Sequence, residues 1–298
     1  MKRFLYLLCS ISIFFLFFSS CNQDKNNYFS SSNVYKSKDI AIPKTIKHIV
    51  SVSPQVTEIL CDLNKEDLLI GRTNFCKYPP SVQKIESIGG ITDANLEKII
   101  ALKPDIVITS SIFPIKSVSV IEQANIPVIS FHESRNIEGM YEVIAVLGEI
   151  TSSKHRADSL ITDCKQRLQA ITTAYKNKLD KENLSKPKVY YVVGFGQSGD
   201  FTATGDTYIN DILQRAGGDN IAKNAQNWSF SKELLFKNQP DYIFIRSEDL
   251  KTFCNQTPYK DLTAVKSCHV YPIESLDTQT PRSISAIEQI FNIIYSDK

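Results

Sequence analysis

Residues 194–199 read GFGQSG and follow the apolar run KVYYVV, which fits the glycine pattern that seats a pyrophosphate. That chemistry needs a helix opening directly after the glycines, so that its amino terminus faces the phosphates. Residues 200–204 intervene before the next helical pattern, so the glycines are better suited to letting backbone line a cleft. Gly199 follows Ser198 directly, so the GxSxG elbow of a serine hydrolase is absent as well. Four histidines, His48, His132, His155 and His269, are scattered with no HxH or HExxH, which disfavours a zinc enzyme or a receptor for bare metal ions. His132, just past the strand-like PVISF, has two roles open to it: a hydrogen-bonded loop residue, or a ligand to a chelated metal in a cleft. No catalytic residue and no protein-held metal is therefore expected, and a secreted hydrolase is the weakest of the functional readings.

The cysteines point to location rather than to chemistry. MKRFLYLLCSISIFFLFFSSC opens with Lys2 and Arg3, then an apolar stretch too short for a membrane span but suited to a secretory signal. It ends in Ser19-Ser20-Cys21, which resembles the processing site of bacterial lipoproteins, with Cys21 lipidated and anchoring the chain to a membrane. Residues 1–20 are read as the signal and the polar residues 21–45 as a flexible tether. Beyond these, Cys61, Cys76, Cys164, Cys254 and Cys268 form no CxxC pair, and a bridge between Cys254 and Cys268 stays open. With 34 basic and 32 acidic residues and no basic cluster past the signal, nucleic-acid binding has no electrostatic footing.

What positions a cleft is visible in a repeat. NLEKIIALKPDIVI (residues 95–108) returns as SKELLFKNQPDYIFI (residues 231–245), with Pro104-Asp105 falling on Pro240-Asp241 and Glu97 on Glu233. Each copy reads as a short amphipathic helix, a Pro-Asp turn and a buried β-branched strand, one step of a parallel α/β layer. Strand and helix patterns alternate over residues 46–152, and again over residues 187–298. Between them Ala157, Leu160, Ile161, Cys164, Leu168, Ile171, Tyr175 and Leu179 keep three- and four-residue spacing without Gly or Pro. Residues 153–183 are thus predicted to form one helix of about 40 Å. The fold class is α/β, with two Rossmann-like lobes joined by a single long α-helix.

The runs HIVSVSPQVTEIL, YPPSVQKIES and NLEKIIALKPDIVI, with FTATGDTYINDILQRAGGDNIA, SKELL and TPRSISAIEQI, resemble the periplasmic cobalamin-binding proteins of bacterial ABC importers. Wider members of that family bind iron siderophores and haem. The resemblance covers nearly the whole chain from Ile46 onward. It implies a helical-backbone substrate-binding protein, not an enzyme, that holds its cargo between the lobes. By matching motifs, Phe75 and Tyr78 of NFCKYPP would line one wall; Phe201 of GDFTATG, the lone Trp228 and Arg282 would line the other. The resemblance further implies that Glu97 and Glu233, one per lobe, dock onto a dimeric permease with its ATPase. The implied cargo is cobalamin or a related corrinoid, the transported ligand rather than a cofactor; a ferric siderophore or haem is the alternative. Two departures bear on that choice: Ile91 stands where the cobalamin binders carry a tryptophan, and Trp228 is shifted by one position. Siderophore anions would call on cations such as Arg282, Arg72 and Arg246. Haem would call on a tyrosine ligand, which GGITDA does not offer.

Overall fold

The computed structural model describes residues 34–274 and 278–296, so the signal and Cys21 lie outside the described residues. The first lobe runs β1 (Val34–Lys36), β2 (Ile49–Ser51), α1 (Pro54–Asp62), β3 (Leu69–Arg72), α2 (Leu96–Ala101), β4 (Ile106–Ser110), α3 (Ile115–Gln123), β5 (Val128–Phe131) and α4 (Ile137–Ile150). Its sheet is ordered β1-β5-β4-β2-β3, parallel except for β1. Then α5 (Lys154–Glu182) leads into the second lobe. That lobe runs β6 (Lys188–Gly194), β7 (Phe201–Thr202), α6 (Tyr208–Arg215), β8 (Asp219–Asn220), α7 (Lys232–Asn238), β9 (Tyr242–Ile245), α8 (Ser247–Asn255), α9 (Thr263–Lys266), β10 (Val270–Pro272) and α10 (Arg282–Tyr295). Strands β10, β9, β6 and β8 are parallel neighbours in that order, and β7 pairs antiparallel with the far end of β6.

The repeat does the same work in both sheets. Asn95 and Ser231 cap α2 and α7, accepting from the Lys98 and Leu234 amides at 2.8 and 3.2 Å. Ile99 and Leu235 bury the inner face of each helix. Lys103 and Gln239 then take the left-handed conformation that ends each helix, with φ of 49° and 43°. Asp105 Oδ2 accepts from the Lys47 and His48 amides at 2.7 and 2.8 Å, and Asp241 Oδ2 from the Lys188 amide at 2.7 Å. Each aspartate thus clamps its strand to the start of the neighbouring one, β4 to β2 and β9 to β6.

Two segments depart from the sequence reading. Val34–Lys36 lies inside the stretch expected to be tether, yet it pairs with β5, and Tyr35 and Ser37 both donate to Glu122. An added antiparallel strand covers an otherwise open sheet edge. Helices α8 and α9 were not among the expected elements; α8 packs Leu250, Phe253 and Cys254 on the second-lobe core, and α9 is a single four-residue turn.

Helix α5 buries Ala157, Ile161, Cys164, Leu168, Ile171 and Tyr175, and Leu160 and Leu179 are half-buried beside them. These side chains join one apolar cluster that extends from Ile49 in the first lobe to Tyr295 in the second. Arg156 donates to the Asp62 carbonyl on one side, and Arg167 grips Glu288 at 2.7 and 2.8 Å on the other. The lobes also touch directly. Asp211 accepts from the Ile137 amide at 2.9 Å, and Arg215 pairs with Glu138 at 2.7 Å. Glu58, buried in α1, receives Arg282 from α10 at 2.6 and 2.5 Å and the Thr280 hydroxyl at 2.5 Å.

Severing a buried ion pair costs more than the pair is worth, because the remaining charge is left without a partner. The Arg282→Ala variant should lose about 2–4 kcal/mol, less than the full penalty because the guanidinium is partly exposed. Equilibrium urea unfolding measures this, and an unchanged midpoint would show that the pair does not hold the lobes.

Candidate functional site

Open parallel sheets offer ligands the crevice beyond the carboxyl ends of their strands. In the first lobe the chain leaving β2, β4 and β5 brings Ser53, Ser110 and His132 to that crevice. Ile91, from the segment before α2, and Gln279, from the second lobe, complete a cavity of about 220 Å³. Gln279 also ties the lobes there: its carbonyl accepts from Gln55 Nε2 at 2.9 Å and its Oε1 from the Ser134 amide at 3.2 Å. The volume is below the roughly 300–1,000 Å³ of a pocket that encloses a whole small ligand. It can take the edge or an axial group of something larger, with the body resting on surfaces outside.

None of Phe75, Tyr78, Phe201, Trp228 and Arg282 lines this cavity. Phe75 and Tyr78 are 59% and 46% exposed, and Phe201 and Trp228 are each 41% exposed, so none of the four serves as core. Tyr78 lies under the Arg282 guanidinium, 4.0 Å from ring centroid to the central carbon. Phe201 is bridged to Ser229, and the Thr202 amide donates to the Trp228 carbonyl at 2.9 Å, so these two aromatics belong to one strand-paired unit. Phe75 occupies the loop after β3, where its amide donates to Thr73 Oγ1 at 3.3 Å.

The Trp228 loop is held in an unusual shape. Asn227 and Trp228 both adopt the left-handed conformation, with φ of 59° and 62°, which costs about 1–2 kcal/mol for a residue such as Trp. Thr204 Oγ1 accepts from the Trp228 amide at 3.0 Å, and Asp206 Oδ2 from the Asn227 amide at 3.2 Å. The hydrogen bond from Thr204 holds the Asp206 carboxyl below the usual carboxylate range, and Arg135 of the first lobe acts in the same direction. Strain of this kind persists where surrounding bonds over-determine it, and it concentrates at ligand clamps.

The cations are already engaged. Arg72 donates to the carbonyls of Val82, Thr73 and Gln83 at 2.9–3.1 Å. Arg246 pairs with Asp249 at 2.9 Å and Glu248 at 3.4 Å. Arg282 is bound to Glu58, whose hydrogen bond raises the guanidinium pKa further. Burial, with Glu58 close by, pushes the Asp62 carboxyl up to about 6 against the pull of Arg156 and Arg282. The sequence reading included Arg282 but missed Glu58. Its signal was a carboxylate inside the apolar run of α1, where Val56, Ile59 and Leu60 are fully buried.

Glu97 and Glu233 stand second in α2 and α7, both exposed. The Glu233 amide and the Ser231 hydroxyl hold the Glu233 carboxyl below its ordinary value, and a negative charge in a first turn is favoured by the helix dipole. The GFGQSG segment forms a short turn, with Gly196 and Gly199 at φ of 93° and 102°, and the next α-helix starts only at Tyr208. Cys254 and Cys268 are free thiols, as are Cys61, Cys76 and Cys164. Among the described residues no group of three or more His, Cys, Asp or Glu is placed to hold a metal ion, and no helix is long and apolar enough to cross a membrane. A larger open groove of about 1100 Å³ lies at the amino-terminal ends of β6 and β9. Lys188 bonds the Asn238 carbonyl, Lys186 lies over the Tyr175 ring and Lys223 pairs with Asp219, and the groove is at the wrong end of the strands for a parallel-sheet ligand site.

The periplasmic binding protein family matches residues 49–275. A Bacillus subtilis ABC transporter substrate-binding lipoprotein, YvrC, is 29% identical over 87% of this chain and 83% of its own length. The vitamin B12-binding protein of Vibrio vulnificus is 24% identical over 82% of this chain and 89% of its own length. The apo structure of the periplasmic heme-binding protein RhuT from Roseiflexus superposes with a TM-score of 0.72 at 20% identity, covering 84% of this chain and 98% of that one. The fold is thus shared with that structure, and the chain belongs to the periplasmic binding protein family as a substrate-binding protein of ABC transporters.

Proposed function

We propose that this protein captures cobalamin or a related corrinoid between its lobes and delivers it to the permease dimer of an importer, anchored to the membrane through lipid on Cys21. One observation carries the choice of cargo. Phe75, Tyr78, Phe201 and Trp228 present exposed aromatic surface, whereas Arg72, Arg246 and Arg282 are already bonded to protein oxygens. Such walls suit a large, flat molecule with little net negative charge, because aromatic faces supply apolar area at low entropic cost. Haem, through its carboxylates, and anionic ferric siderophores would compete for those guanidiniums. The Vibrio vulnificus relative, a vitamin B12-binding protein, supports the same choice.

The paired glutamates fit the delivery step. A chain with internal pseudo-symmetry presents one acidic residue per lobe, and Glu97 and Glu233 sit at equivalent helical positions. Two identical permease subunits would offer two identical basic sockets.

Two measurements test these roles. Equilibrium dialysis with cyanocobalamin should give one site per chain, and Trp228→Ala should weaken it by about 1–3 kcal/mol if the indole is a stacked anchor. An unchanged Kd would remove Trp228 from the site. The Glu97→Ala, Glu233→Ala double variant should bind cobalamin normally yet fail to support uptake, because losing one side of an interfacial charge pair costs about 2–5 kcal/mol. Normal uptake by that variant would return both residues to ordinary helix-start roles.

A further inference from the structure

Resting on the reading of Cys21 as the lipid-bearing residue, we propose that β1 fixes the tether at the cleft end of the first lobe and so turns that face to the lipid surface. Strand β1 runs antiparallel to β5, with Val34 opposite Phe131 and Lys36 opposite Ile129. Phe131 ends β5, so the chain joins the sheet at its carboxyl edge, beside His132 of the cavity. Val34 borders a hollow there together with His132, Ser134 and Glu142. From Lys36 the chain passes to the amino end of the sheet, where Asp105 clamps the Lys47 and His48 amides before β2 begins.

The attachment is fixed by several bonds. Ser37 is buried; its amide donates to the Val128 carbonyl at 3.0 Å, and its Oγ accepts from the Val128 amide at 2.9 Å. Glu122 of α3 accepts from the Tyr35 and Ser37 hydroxyls. Yet Val34 and Tyr35 are only half-buried and Lys36 is exposed, so β1 adds little to the core. Besides covering the edge of β5, the pairing determines where the chain leaves the fold.

The twelve residues 22–33 separate Cys21 from Val34 and reach at most about 40 Å. Without β1, the chain would be held from Ile46, buried near the amino end of β2. The 24 residues 22–45 would then reach about 80 Å from the back of the lobe. The pairing therefore halves the reach and moves the attachment to the cleft end. Helices α2 and α7 lead back to the amino ends of β4 and β9, so their first turns, with Glu97 and Glu233, stand at the cleft end too. A short tether on that face raises the effective concentration of the cleft at a partner embedded in the same membrane.

Energy transfer from tryptophan to a dansyl lipid reads the orientation. Trp228 is the only tryptophan of the chain and reports the cleft end, since it is bonded to β7 at the carboxyl end of β6. Combining Trp228→Phe with Ala124→Trp moves the indole to the exposed end of α3, beside the amino end of β5. The full-length lipidated protein is held, without cargo, on vesicles of phosphatidylethanolamine and phosphatidylglycerol that contain dansyl-phosphatidylethanolamine. Transfer from Trp228 should exceed transfer from position 124. Deleting residues 34–45 keeps a twelve-residue tether but joins it to Ile46, and should reverse that order. A cooperative urea transition checks that the deleted protein folds; if it does not, Ser37→Pro, which withdraws the bonds to Val128 and Glu122, is read for loss of the difference. Equal transfer from the two positions with β1 intact, or more from position 124, would overturn the orientation and leave the lipid anchor standing. A difference that survives removal of the β1 bonds would overturn the part played by β1. Protein that does not float with the vesicles would overturn lipidation of Cys21 and the proposal with it, whatever the cargo.

Discussion

Everything in the molecule depends on one buried stripe. Helix α5 presents Ala157, Ile161, Cys164, Leu168, Ile171 and Tyr175 to an apolar cluster shared by both lobes. A helix resists bending unless Pro, Gly or an inserted group breaks its ladder, and none lies within it. The lobes are thus not beads on a flexible linker; moving one against the other would expose apolar surface at about 25 cal/mol per Å². The bonds around Glu58, Asp211 and Gln279 act on a geometry the stripe has already set, which lets a few polar contacts define the cleft.

The second constraint is the repeat. A parallel strand needs its neighbour's start fixed, because a slip by one residue turns its side chains to the wrong face. Asp105 and Asp241 fix it by accepting backbone amides of the adjacent strand, and the left-handed Lys103 and Gln239 before them let the helix turn back sharply. The same geometry sets where Glu97 and Glu233 emerge. Structural repetition and the placement of two exposed carboxylates therefore have one cause, and a docking role would use positions that folding alone already made equivalent.

How much of this was legible follows from where the signals reside. The strut, the alternating elements and the repeat come from periodicity, which sequence carries directly, and the stripe residues reappear on the buried face of α5. Ile91 and Trp228 are the positions where the sequence departs from the resemblance; in the structure Ile91 lines the cavity and Trp228 stands in a strained loop. The strand Val34–Lys36 was illegible because its polar surroundings resemble a tether, and only the edge of β5 gives it a partner. The Glu58–Arg282 pair was illegible for a different reason: its members are far apart in the chain, and nothing local to either names the other.

That pair also sets the local charge balance between the lobes. Arg282 read alone is a cation facing a ligand; bonded to Glu58 and stacked on Tyr78, it contributes hydrogen-bonding geometry with little net field. A buried carboxylate that absorbs a guanidinium leaves less positive charge there for any other anion to pair with. The Asp62 carboxyl nearby is raised to about 6, first by burial and then by Glu58, against the pull of Arg156 and Arg282. A group that drew Arg282 away would leave Glu58 buried without its partner, and that separation is costly.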